Sequence, residues 1–212
     1  MNNKNTTYID ALNEAQRGPV LHKEGPLIVI AGAGSGKTRV LTYRIAHLMA
    51  SGVDSFSILA LTFTNKAARE MKARIGDLVG EGEAKNLWMG TFHSVFARIL
   101  RQEADKLGFP SNFTIYDTQD SDRLISAIIK ELGLEKDIYK YKQIRSRISA
   151  FKNSLITVKA YFNDGDLQEV DAMSRRPKMG MIYKEYVDRC FKAGAMDFDD
   201  LLLRTNELLN RY

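Results

Sequence analysis

Eight consecutive residues, AGAGSGKT from Ala31 to Thr38, have the composition of a loop that wraps phosphate oxygens. Gly32, Gly34 and Gly36 let the backbone turn its amides inward around an anion. Ala31, Ala33 and Ser35 keep the rest of the loop small. Ala31 stands where the usual pattern has glycine, and its small side chain still permits a tight turn. Lys37 would reach the β- and γ-phosphates as a point charge, and Thr38 would give its hydroxyl to magnesium. These two are the candidate catalytic residues, with Thr38 the candidate metal ligand. Upstream, LNEAQ ends at Gln16, whose amide both donates and accepts and can therefore pair with adenine N6 and N7 together. A glutamine in a polar segment is otherwise an ordinary solvated side chain. Phosphate binding by itself does not name a reaction, because kinases, motors and switches all use it.

Such a loop works only between a strand and a helix. GPLIVIAG, Gly25 to Gly32, reads as a buried strand, since Leu27 to Ile30 are continuously apolar. Val40, Leu41, Ile45, Leu48 and Met49 then recur at helical spacing up to Gly52, which sits as a helix-ending glycine. SILALTF, Ser57 to Phe63, predicts a second buried strand. Thr64 or Asn65 would cap the next helix, which shows Ala68, Met71, Ile75 and Leu78 on one face and ends at GEGE, Gly80 to Glu83. LWMGT, Leu87 to Thr91, predicts a third strand, and Ser94 to Leu107 a third helix. This alternation predicts an α/β fold with a parallel sheet. After GFPSN the pattern turns helical. Apolar stripes run through Leu124 to Leu132, through Tyr141, Ile144, Ile148 and Phe151, and through Ile182, Tyr186 and Phe191. Residues 109–195 therefore read as a helical unit inserted into a sheet domain of residues 1–108, and 196–212 as a return to that domain. The last helical pattern stops without a cap or breaker, so the chain is expected to be cut short.

The 212 residues hold 31 Lys and Arg against 26 Asp and Glu, a net charge of +5, which permits a nucleic-acid partner without establishing one. No apolar run approaches the roughly 20 residues of a membrane span, and the N-terminus lacks the pattern of a secretory signal. A single cysteine, Cys190, excludes an internal disulfide framework and reads as a buried apolar residue. A cytoplasmic protein is expected.

Taken in order, LNEAQ, AGAGSGKTRVL, LALTFTNKAAREM (Leu59 to Met71), GTFHS (Gly90 to Ser94) and DFDDLL (Asp197 to Leu202) resemble successive motifs of the superfamily 1 DNA helicases of the UvrD, Rep and PcrA group. The resemblance covers essentially the whole chain, and TFTNKAAREM is far more specific than a phosphate loop. It implies a bacterial, nucleoid-associated ATP-driven motor acting in DNA repair or replication. Such a motor moves 3′ to 5′ on single-stranded DNA and separates strands at single/double-strand junctions, with ATP and magnesium as cofactors. It also implies a RecA-like first core domain with a mainly helical insertion. Carried over by motif, Gln16 becomes the adenine reader, Gly34, Gly36, Lys37 and Thr38 the phosphate and magnesium contacts, and Arg39 a residue beside the nucleotide. Thr62, Phe63, Thr64 and Asn65, with Thr91 and His93, become DNA contacts. Hydroxyl and amide groups at strand ends can bond DNA phosphates without reading sequence, and Phe63 could stack a base. Read alone, Phe63 is a core aromatic ending a strand, His93 a helix-start residue and Trp88 a core residue.

Five cations between Tyr139 and Lys152, namely Lys140, Lys142, Arg145, Arg147 and Lys152, are uninterrupted by acids. They read either as a solvated helix face or as a surface for duplex DNA. Arg175, Arg176 and Lys178 form a smaller cluster. Asp197, Asp199 and Asp200 read as helix-capping and first-turn carboxylates rather than catalytic ones. The acidic motif and arginines that hydrolysis needs are not found before Tyr212, so these residues alone are expected to lack ATPase and unwinding activity. A phosphate-loop kinase and a non-enzymatic ATP-gated DNA-binding module are the alternatives.

Overall fold

The structure, a computed structural model, describes residues 7–212. They divide into two compact units, one reaching Val95 and one running from Phe96 to Tyr212.

The first unit runs α1 (Thr7–Asp10), α2 (Glu14–Leu21), α3 (Lys37–Ala50), β1 (Leu59–Thr62), α4 (Asn65–Val79), α5 (Glu81–Asn86), β2 (Trp88–Thr91) and the start of α6 (Phe92–Glu103). Each boundary has a local cause. Asn13 opens α2 with a reciprocal capping box to Gln16, and the Thr64 hydroxyl opens α4 by accepting the Ala67 N–H at 3.1 Å. Beyond α3, Gly52 adopts φ 94°, a conformation that glycine takes without a Cβ penalty. β1 and β2 pair in parallel, Leu59 beside Trp88 through Thr62 beside Thr91. Met71 and Ile75 of α4 pack with Ile45 of α3 against Ile58, Ala60 and Leu87. The sheet-and-helix alternation is thus present, and the chain is mixed α/β with parallel pairing.

Two expectations fail here. Leu27 to Ile30 forms no ladder: Ile28 is 87% and Ile30 95% exposed, where a buried strand was predicted. Extended backbone becomes a buried strand only beside a hydrogen-bonding neighbour, and no described residue supplies one. GEGE does not stay a loop either. Glu81 starts α5, which buries Ala84 against the α4 side of the core.

In the second unit, β3 (Thr114–Tyr116) precedes α7 (Thr118–Glu131), α8 (Tyr141–Asn153), α9 (Val158–Asn163), α10 (Gly165–Met173), α11 (Met179–Lys192), β4 (Ala195–Asp197) and α12 (Phe198–Arg211). Ile125, Ile128 and Ile129 of α7, Ile144, Ile148 and Phe151 of α8, and Ile182, Tyr183 and Tyr186 of α11 fuse into one core. The three apolar stripes read from the sequence converge there except at Tyr141 and Phe191, which are 40% and 47% exposed and lie outside this core. β3 and β4 pair in parallel, Thr114 beside Ala195 through Tyr116 beside Asp197. At three residues each they carry too little periodicity to announce themselves within a segment expected to be helical. Among the described residues, no helix is long and apolar enough to cross a membrane.

Candidate nucleotide and nucleic-acid site

The loop from Ala31 to Gly36 leads directly into α3, whose N-cap is Gly36 and carries no side-chain cap bond. The first amides of this 14-residue helix therefore lack the partner a serine or aspartate cap would give, and its positive end opens on the loop. Gly34 and Gly36 take φ of 75° and 91°. The Lys37 ammonium folds back over the loop, donating to the Ala31 carbonyl at 2.9 Å and the Gly32 carbonyl at 2.6 Å. The Ser35 hydroxyl donates to the same Gly32 carbonyl at 2.8 Å. Lysine and loop thus form one cationic turn built from adjacent residues.

Gln16 joins this turn from a distant part of the chain. Its Nε2 donates to the Ser35 carbonyl at 3.1 Å. Its Oε1 accepts the Asn13 N–H at 3.4 Å as half of the capping box. α2 is held on α3 by Leu12, Val20 and Val40, and by Arg44, which donates to the Pro19 carbonyl at 2.7 Å and to the His22 carbonyl. The glutamine is therefore positioned by a helix packed against the loop's own helix. Arg39 turns elsewhere, its guanidinium lying 5.3 Å from the centre of the Tyr43 ring. Thr38 is exposed in the first turn of α3, so its hydroxyl is free to meet a cation beside bound phosphates. Among the described residues no group of three His, Cys, Asp or Glu side chains is placed to hold a metal.

Gly36 is constrained twice. A Cβ there would lie 2.7 Å from Gln16 Nε2, in addition to the left-handed φ. At Gly34 nothing lies within 4 Å of the same position. Gly36→Ala is therefore expected to cost about 1–2 kcal/mol of stability in backbone strain and to unseat Gln16 from Ser35. Gly34→Ala should show the strain alone. Thermal denaturation of both variants checks this, and an equal or smaller loss for Gly36→Ala would contradict the contact.

The other predicted residues gather at the C-terminal ends of β1 and β2. Thr62 and Thr91 are register partners, so their backbones lie side by side on adjacent parallel strands. Phe63 follows Thr62 and is 89% exposed, which rejects the core reading of that ring. The Phe92 ring lies beside it, 5.5 Å away between centres. Thr64 is engaged in capping α4, Asn65 is the exposed first residue of that helix, and His93 is exposed in the first turn of α6. The Ser94 N–H donates to Thr91 Oγ1 at 3.3 Å and holds that turn. Trp88 is half-buried rather than core.

Within the second unit, three of the five cations between Tyr139 and Lys152 are committed to carboxylates, whereas Lys140 and Lys142 stay exposed. Arg145 pairs with Asp122 at 2.7 Å and Arg147 with Asp171 at 3.0 Å. Lys152 is 2% exposed, with its ammonium 2.7 Å from Asp197 and 2.8 Å from Asp200. The Tyr186 hydroxyl donates to Asp197 at 2.8 Å and lies 2.9 Å from the Ser121 hydroxyl. Burial alone would lower the lysine's pKa, but Asp200 and Asp197 outweigh it and hold the pKa above the usual range. Burial would likewise raise Asp197, and the lysine overrides it and depresses that carboxyl. Asp200, also buried, is held up by burial. The capping role expected of Asp197 is present, since it accepts the Asp200 N–H at 2.8 Å. The ion cluster beneath that cap has no local sequence signal. Cys190 is buried, its thiol pushed up to about 12 by desolvation.

A family model described as the UvrD/REP helicase N-terminal domain matches residues 12–212. The ATP-dependent DNA helicase UvrD1 of Mycobacterium bovis is 45% identical over 206 residues, 96% of this chain and 26% of the relative. The ATP-dependent DNA helicases PcrA of Staphylococcus epidermidis and Bacillus subtilis are 43% and 41% identical, covering 94% and 100% of this chain and 27% and 28% of their own lengths. The chain thus spans about a quarter of the length of the curated relatives it matches.

Proposed function

We propose that this chain, which belongs to the UvrD/REP helicase N-terminal domain family, is the nucleotide-gripping and DNA-touching part of an ATP-driven DNA helicase that moves 3′ to 5′ on single strands. In this reading residues 1–108 are the first part of a RecA-like core, 109–195 an inserted helical subdomain, and 196–212 the return to the core. The motor works in the bacterial cytoplasm, at the nucleoid. The match across residues 12–212 leaves the kinase alternative without support.

The observation that carries the proposal is the pairing of Thr62 with Thr91, which sets two hydroxyl-bearing strand ends beside the bare Phe63 ring. Hydroxyls and backbone amides there bind phosphates of any sequence, and the ring stacks any base. The loop amides and the open end of α3 take the triphosphate. Lys37 exchanges the Ala31 and Gly32 carbonyls for phosphate oxygens, and Gln16, seated on Ser35, meets the adenine. Magnesium bound with the nucleotide would neutralise its phosphates, with Thr38 as a protein ligand. In this reading the 212 residues bind ATP and DNA without turning ATP over. DNA-stimulated phosphate release by the purified chain would overturn that part.

Phe63→Ala tests the DNA contact. One stacked base contributes about 1–3 kcal/mol, so affinity for a fluorescein-labelled oligothymidine should fall roughly five- to hundredfold. Because the ring is exposed, unfolding free energy should change by less than about 0.5 kcal/mol. Unchanged affinity, measured by anisotropy, would remove Phe63 from the interface.

A further inference from the structure

A cleft of about 800 Å³ lies in the second unit between the last turns of α7 and the first turn of α8. Four lysines line it, Lys130, Lys136, Lys140 and Lys142, and no aspartate or glutamate does. All four are exposed, and none is in an ion pair among the described residues, whereas Arg145, Arg147 and Lys152 further along α8 are all committed to carboxylates. The N-cap of α8 is Lys140, with no side-chain cap bond, so the helix adds its own positive end to the same opening. Apolar groups share the lining, Ala127, Ile129 and the Tyr139 and Tyr141 rings, together with the polar Ser126 and Gln143.

We propose that this cleft docks an acidic segment of a partner protein that carries an apolar anchor side chain between its carboxylates. Charge complementarity demands an anion, and the apolar part of the concave lining selects among anions. A nucleic-acid backbone brings phosphates but nothing apolar to fill the cleft. Base stacking would need free aromatic faces. Tyr139 is buried with its hydroxyl accepting the Lys178 N–H at 3.2 Å, and Tyr141, 40% exposed, has the Lys142 ammonium over one face, 6.0 Å from its centre, so at most one ring face is open to a base. A peptide supplies both features: carboxylates for the lysine rim, and a leucine or phenylalanine for the apolar part of the lining.

The test pans a displayed peptide library, with glutamate and aspartate at alternate positions and the others varied, against the intact 212-residue chain. Enriched peptides are labelled with fluorescein and titrated by anisotropy against the chain and against Lys136→Glu/Lys140→Glu, a double change at exposed positions that leaves the core intact. Enriched peptides should keep an apolar anchor, lose at least about tenfold in affinity for the double variant, and lose similarly when the anchor becomes serine. Failure to enrich, or binding indifferent to the double change, overturns the proposal. So does a labelled DNA duplex that is displaced by the same double change while the peptides are not, because the lysines then serve nucleic acid.

Discussion

Lys37→Ala should weaken ATP binding by the chain about ten- to hundredfold, and should abolish turnover by a helicase that contains it. The side chain is a single ammonium whose bonds, to the Ala31 and Gly32 carbonyls, lie within the loop itself. It supports no packed core, so its removal leaves the fold in place. A charge-assisted hydrogen bond contributes about 1.5–3 kcal/mol, which sets the binding loss. Turnover falls further, because the charge that builds on the transferred phosphoryl group meets no cation there. Titration with a fluorescent ATP analogue reads the first effect and phosphate release the second. A variant with normal affinity and turnover would end the phosphate-loop assignment, while a variant that unfolds would show that the lysine is structural.

The second large effect is expected far from that loop in sequence. Lys152→Met should cost about 3–5 kcal/mol at neutral pH, because it leaves Asp197 and Asp200 buried without their cation. The pH dependence distinguishes this from a simple packing defect. In the natural chain the depressed Asp197 contributes stability that is present above the ordinary carboxylate pKa and is lost as pH falls through its lower folded value. In the variant the lysine's charge no longer opposes burial, and both carboxyls rise relative to the natural chain. Its penalty is then fully present at neutral pH and shrinks as the pH falls towards about 4, where the carboxyls take protons in either state. Urea unfolding of both proteins at several pH values should show the gap closing towards acid. A gap that is constant with pH would mean that Lys152 acts through its methylenes.

The parts of this molecule that were legible in the sequence are those decided by neighbours along the chain. The glycine-spaced loop, the Thr64 cap, the α4 face of Met71 and Ile75, and the three apolar stripes of the second unit all rest on spacing of a few residues. The parts that were not legible depend on residues far away. Lys152 looks like a surface cation until Asp197, 45 positions later, folds against it. Arg145 and Arg147 form part of an apparently open basic run until Asp122 and Asp171 claim them. Phe63 ends an apolar run, so its exposure follows only once β1 is seen to stop at Thr62. β3 and β4 exist because each has the other to pair with. The candidate site was legible as a set of residues. Gln16 reaching back to Ser35, and Thr62 lying beside Thr91, are relations that only the fold supplies.

The bare run from Leu27 to Ile30 has a consequence for handling the protein. Four apolar side chains in sequence, on backbone that pairs with no strand among the described residues, are a template for any stray strand of similar character. Two copies meeting there would zip together edge to edge. Self-association of this chain at high concentration is therefore expected to start at the four residues immediately before the glycine-rich loop, and a partner strand that covers them would act as a chaperone as much as a structural neighbour.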